Sequence, residues 1–143
     1  MSIIVDAEKG LFTLHTKNTT YQMKADNYGT LLHVYYGERT DDSDKSYAMC
    51  MRCRGFSGNP YEMGKERKPY SLDVLPQEYS CYGTGDYRIS ALKIQNADGS
   101  CAVSLCYKSY KISKGKYSKP HLPDVYADEK AAYTLEVVLE DSA

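Results

Sequence analysis

In the stretch YTLEVVLE, residues 133–140, apolar side chains recur at every second position: Tyr133, Leu135, Val137 and Leu139. Thr134, Glu136 and Glu140 fall on the opposite face, with Val138 the exception. A period of two belongs to a pleated strand with one face in a core, not to the 3.6-residue stripe of an amphipathic helix. The pattern returns in CAVSLCY, where Cys101, Val103, Leu105 and Tyr107 form the inward set. It is present near the start too, where Phe12 and Leu14 precede Tyr21, Met23 and Ala25. TLLHVYYG, residues 30–37, is apolar on both faces and reads as a central strand covered from two sides.

Turn chemistry separates these runs. Asn27-Tyr28-Gly29 divides two of them, and Asn96-Ala97-Asp98-Gly99 predicts a hairpin between YRISALKIQ and CAVSLCYKSYKI. The apolar phase flips at Ala91-Leu92, which points to a bulge or a change of strand partner. Strands are thus expected near residues 2–6, 10–16, 19–25, 30–37, 46–53, 87–95, 101–112 and 132–140. The fold class that follows is all-β, a single antiparallel β-sandwich with one long irregular loop. GERTDDSDKS, residues 37–46, reads as a charged, exposed loop.

A chain of 143 residues can bury one core. Eighteen basic against 19 acidic side chains leave a net charge of −1, which gives no support to a nucleic-acid or membrane partner. No apolar run approaches the roughly 18 residues of a membrane span. MSIIVDAEKG lacks the basic start and apolar stretch of a signal peptide, so a cytoplasmic location is expected. Five cysteines are an odd count, which favours reduced thiols over a disulfide framework. The 15 tyrosines suit strands and half-wet surfaces, since the ring packs while the hydroxyl reaches water.

Residues 54–86 carry neither period. A connection beyond about 12–15 residues without regular structure is uncommon inside a compact domain. This one holds Phe56, Tyr61, Tyr70, Leu72, Val74, Leu75 and Tyr79, which favour packing over disorder. It is either a long crossover wrapping one end of the sandwich or a surface built for something else. No reactive constellation stands out. Cys50 and Cys53 have a redox or zinc spacing, but an alternating strand sends them to opposite faces and no second ligand pair matches. GTGD, 83–86, lacks the GK[ST] ending of a phosphate cradle; a tight turn closed by Asp86 on nearby backbone amides is expected. Asp73, Glu78 and Asp86 are not brought together by spacing, and His33 reads as a core or edge histidine. No metal or cofactor is expected. A binding or assembly module, and part of an enzyme whose chemistry lies elsewhere, both remain open.

RGFSGNPYE at 54–62 followed by YSLDVLPQEYSCYGTGDYR at 70–88 resembles the N-terminal domain of glycoside hydrolase family 36 α-galactosidases. Leu72, Asp73, Gln77, Glu78, Tyr79, Tyr82, Gly83, Asp86 and Arg88 fall on the family pattern. The His33–Gly37 run, ADGS before a strand, YKSYKISKGK, LPDVYADE and TLEVVLED are similar to the family too, so the resemblance covers the whole chain in order.

That resemblance implies part of a β-supersandwich, followed in the family by a catalytic (β/α)8 barrel and a C-terminal β domain. Such enzymes remove terminal α-galactose from melibiose, raffinose and related sugars with retention, which needs two carboxyl groups about 5–5.5 Å apart. Both belong to the barrel, so no catalytic residue is expected in residues 1–143. In tetrameric members the long loop walls a neighbouring subunit's galactose pocket, and residues 54–86 are similar to that loop; a homo-oligomer is implied. Where family members place a galactose-contacting aspartate, this chain has Cys53. A thiol gives no charge-assisted hydrogen bonds to sugar hydroxyls. Cys53, Arg54 and Arg67 are therefore the substrate-binding candidates, with Arg52 as a neighbour able to take over. The alternative is a free-standing carbohydrate-binding or assembly module without enzymatic activity.

Overall fold

The computed structural model describes residues 2–49, 70–118, 120, 121, 123 and 131–142. Strands β1 (Ser2–Asp6), β2 (Leu11–His15), β3 (Thr19–Ala25) and β4 (Leu31–Glu38) form an antiparallel meander in sequential order. Strands β5 (Leu105–Lys114) and β6 (Tyr133–Asp141) pair as an antiparallel ribbon. Among the described residues the only helical element is a 3-10 turn at Ser46–Ala48, and no helix is long and apolar enough to cross a membrane. The fold is all-β, an antiparallel β-sandwich.

The meander is dictated by alternation. Phe12 opposes Met23 and Leu14 opposes Tyr21, so one face of β2–β3 is apolar. This face meets the ribbon: the buried Phe12 ring lies edge-on against Tyr107 at 5.7 Å and Tyr110 at 5.4 Å. Three residues apart, those tyrosines would point to opposite faces of a regular strand. A bulge between Tyr107 and Ser109 turns both toward Phe12. A second bulge, opposite Gln22 and Met23, brings His33 and Tyr36 of β4 beside Tyr21, at 5.6 and 6.2 Å between ring centres.

The opposite face of the meander is polar and equally buried. Thr13, His15, Thr20 and Gln22 lie on it, covered by residues 39–46. The loop is exposed at Glu38, Arg39, Asp41, Asp42 and Ser43, as expected, and it also acts as a clasp. Gln22, with no exposed surface, donates to Thr13 Oγ1 and the Ser43 carbonyl and accepts from the Lys45 amide. Lys24 Nζ bonds Asp44 at 2.8 Å, and the buried Lys45 ammonium is wrapped by the Asp41 carbonyl and carboxylate and the Ser43 carbonyl. Buried charge persists only where each donor finds an acceptor, and here each does.

Three expected strands are absent or shorter. Residues 87–95 form none: Ile89 is 98% exposed, and the backbone is satisfied by the neighbouring segment, Ala91 and Leu92 donating to the Ser80 carbonyl. The Asn96–Ser100 turn forms, with Gly99 at φ +86°, but closes no hairpin ladder. The expected 101–112 strand begins only at Leu105, and Ser46–Ala48 of the expected 46–53 strand is the 3-10 turn, while residues 50–53 lie outside the described residues. β4 is not doubly covered either: it ends the meander among the described residues, and Tyr36 is 68% exposed. Tyrosine counts as apolar in a pattern while tolerating water, so a tyrosine-rich run overstates burial.

Candidate functional site

Two described residues far apart in the sequence, Met49 and Tyr70, meet at one place in the fold. Leu32, Tyr70 and Leu75 form a buried cluster, and Met49, Tyr28 and Leu72 pack against it. Met49 and Tyr70, the described residues on either side of 50–69, thus meet in one cluster. Cys53, Arg54 and Arg67, together with Arg52 and Cys50, lie outside the described residues.

Residues 70–88 are ordered by side chains where no ladder exists. Val74 and Leu75 amides turn back onto the Ser71 carbonyl. Residues 76–78 then run along the outer edge of β4, with the His33 amide on the Pro76 carbonyl at 2.7 Å and the Glu78 amide on the Leu31 carbonyl at 2.9 Å. Asp86, its side chain 1% exposed, binds the Arg88 guanidinium through both oxygens and accepts from the Arg88 amide and Gln77 Nε2. Arg88 and Gln77 both donate onward to the Leu72 carbonyl. Burial pushes the Asp86 carboxyl up, but the Arg88 bonds outweigh it and hold it below the usual range. The turn ahead of it is the expected one: Gly83 and Gly85 have φ of +90° and +83°. A Cβ on Gly83 would come within 2.8 Å of the Ala102 Cα and the Cys101 carbonyl, so only glycine lets the turn lie against that segment.

The three carboxylates of this stretch do not form an acid–base pair. Asp73 accepts from Ser71, Asp86 is committed to Arg88, and Glu78 bonds His33 Nδ1 at 2.8 Å. Tyr21 turns its hydroxyl to Glu78 as well; burial first, and that carboxylate second, push the phenol far above its ordinary value.

A triad-like relay exists elsewhere. Thr20 Oγ1 lies 2.8 Å from His15 Nδ1, and His15 Nε2 lies 2.6 Å from Asp42 Oδ1. Thr20 Oγ1 also accepts the Thr40 amide, so in the neutral imidazole its proton goes to Nδ1 and Nε2–H donates to Asp42. Thr20 has no exposed surface, which bars any substrate from the hydroxyl. The relay fastens the clasp to the sheet. Sequence reading missed it, although His15 and Lys24, on one strand face, match the acidic residues at 41, 42 and 44.

An apolar groove of about 500 Å³ runs between the sheets, lined among others by Met23, Leu31, Leu105, Leu135 and Val137, with Glu78 at its polar side. No group of three or more His, Cys, Asp or Glu among the described residues could hold a metal ion.

Residues 29–143 match the glycosyl hydrolase family 36 N-terminal domain. The chain belongs to that family. Over 141 residues it is 55% identical to the bifunctional alpha-galactosidase/sucrose kinase of Mediterraneibacter gnavus, covering 99% of this chain and 15% of that protein. The solved galactosidase domain of an alpha-galactosidase–sucrose kinase superposes with a TM-score of 0.89 at 54% identity, covering 99% of this chain and 19% of that one. A family 36 alpha-galactosidase of Geobacillus stearothermophilus, solved with raffinose, gives a TM-score of 0.80 at 38% identity over 92% of this chain and 18% of that one. The chain thus spans less than a fifth of the length of these relatives. Within 70–88, Asp73, Glu78 and Asp86 are each held in a bond to a neighbouring side chain.

Proposed function

We propose that this chain is the non-catalytic N-terminal part of a cytoplasmic retaining α-galactosidase. The hydrolysis of terminal α-galactosides such as melibiose and raffinose belongs to a barrel outside these 143 residues. The chain contributes to homo-oligomer assembly, and Cys53, Arg54 and Arg67 wall a neighbouring subunit's galactose pocket. The observation that carries this reading is the match over 99% of the chain, at 54% identity and a TM-score of 0.89, to a galactosidase domain. The meeting of Met49 and Tyr70 in the Leu32 cluster supports the pocket role, because fixed flanking residues limit the reach of the chain between them.

The test joins this chain to the remainder of the 55% identical Mediterraneibacter gnavus enzyme, in place of the stretch it matches. In that chimera Cys53→Asp is expected to lower KM for raffinose by about tenfold with kcat unchanged, since hydrogen bonds to a charged group contribute about 1.5–3 kcal/mol. A lower melting temperature with KM unchanged would assign Cys53 to packing. A galactoside affinity of the isolated chain, together with an inactive chimera, would favour the free-standing binding module.

A further inference from the structure

YRISALKIQ, residues 87–95, has the alternation of a strand, but only one of its two edges is engaged. On that inner edge Leu92 bridges Cys81: the Leu92 amide donates to the Ser80 carbonyl, and the Leu92 carbonyl accepts the Tyr82 amide. Successive residues of an extended chain turn their backbone groups to opposite edges, so those of Lys93 point away from residues 80–82. The amides of Tyr87, Ile89, Lys93 and Gln95 find no acceptor among the described residues, whereas Ala91, of the same parity, donates to Ser80. The side chains of this odd-numbered set are exposed as well, Ile89 by 98% and Tyr87 by 79%. Leu92, of the other parity, lines the groove between the sheets. Exposed apolar side chains beside unpaired amides are a template for a further strand.

We propose that residues 87–95 pair with the same residues of a second copy of this chain, antiparallel about a two-fold axis at Ala91. In this register Ile89 lies opposite Lys93 and Tyr87 opposite Gln95, each in both directions. All four carry free amides, so each pair exchanges both of its backbone bonds. A shift of two residues either way sets Ala91 opposite Ile89 or Lys93, and the Ala91 amide is already committed to Ser80. A shift of one mates an outward-facing residue with an inward-facing one, which an antiparallel ladder does not allow. Lysine on an open edge normally discourages pairing. Here Lys93 meets no like charge: it faces Ile89, which packs on its aliphatic stem, while Arg88 stays bound to Asp86. A net charge of −1 per copy adds little repulsion. The inference deepens the assembly role proposed above by naming its surface.

Sedimentation velocity of the 143-residue chain reads the pairing. A reversible dimer is expected, its fraction rising over about 10 µM to 1 mM, the range of a small interface. Ile89→Lys sets a cation opposite Lys93 on both sides of the axis and is expected to weaken the dimer about tenfold. Adding Lys93→Glu turns both clashes into opposite-charge pairs and is expected to return the affinity to within about threefold of the parent. Both positions are exposed, so the melting temperature of the monomer is expected to stay at the parent value. Hydrogen exchange at the Ile89 and Lys93 amides should slow about tenfold in the dimer relative to the dilute chain. A chain that stays monomeric to about 1 mM, or a dimer that Ile89→Lys leaves intact, would overturn the proposal. The surface and the assembly role fail separately. A chimera whose oligomer survives Ile89→Lys overturns the surface, and a monomeric chimera beside an isolated chain that dimerises overturns only the assembly role.

Discussion

The two faces of the meander bury side chains by different physics. On one, Phe12, Met23 and Ala25 are buried, with the ribbon's Tyr107 and Tyr110 against Phe12, a contact that is non-directional and scales with area. On the other, Thr13, His15, Thr20 and Gln22 are removed from water just as completely, but by a clasp in which each polar group has a named partner. The apolar face tolerates any shape-filling neighbour. The polar face accepts one arrangement of residues 39–46, because an unpaired buried group costs its full desolvation. The first face supplies adhesion; the second fixes the geometry of residues 39–46.

Substitutions on each face test this difference. Phe12→Ala should have the largest effect, about 3–5 kcal/mol in chemical denaturation, as expected for a buried aromatic. Gln22→Met, which conserves volume, should cost about 2–3 kcal/mol by removing the Gln22 partner of Thr13 Oγ1 and of the Lys45 amide. The discriminating readout is hydrogen exchange at Lys45, which should accelerate in Gln22→Met well beyond the loss of global stability and in Phe12→Ala only in proportion to it. Equal behaviour in the two variants would show that the clasp is not a separate polar unit.

A smaller effect is expected with pH. Burial pushes the Asp44 carboxyl up, but bonds from Lys24 and Ser46 outweigh it and bring the folded value to about 2. A folded value below the unfolded one, about 3.9, means the bond stabilises fully above that pH and is lost as pH falls from about 4 toward 2. Asp44→Asn should therefore be less stable than the parent by about 1 kcal/mol at pH 7, discounted for partial solvent access, and should converge with it near pH 2. Parallel pH curves would contradict this.

How far the fold was legible follows from the same contrast. Strands β1 to β4 and β6 were read within a residue or two, because alternation and the Asn27–Gly29 turn are local signals. The bulge at Lys108 was not, since the phase change that turns Tyr110 toward Phe12 is visible only once both sheets are placed. Residues 87–95 carried an alternating pattern that tertiary contacts overrode: Asp86 recruits Arg88, and the Ser80 carbonyl takes the amides of Ala91 and Leu92. The 37–46 run is exposed at Glu38, Arg39 and 41–43, as its charge predicts, but its pairing with Gln22, Lys24 and His15 is a spatial contact that the sequence did not reveal. At the site, the GTGD turn and the structural role of Asp86 were legible from local chemistry. The shared cluster of Met49 and Tyr70 was not, being a contact between residues far apart in the chain. Cys53, Arg54 and Arg67 came from the family resemblance and lie outside the described residues.

The central claim is that this chain shapes a galactosidase without performing its chemistry. Its most direct test is a chromogenic α-galactoside assay of the purified 143-residue chain, across a wide range of protein concentration and beside the chimera. The account predicts turnover by the chimera and none by the isolated chain. Dose-dependent turnover by the isolated chain, abolished by substituting one of its own carboxylates, would contradict it.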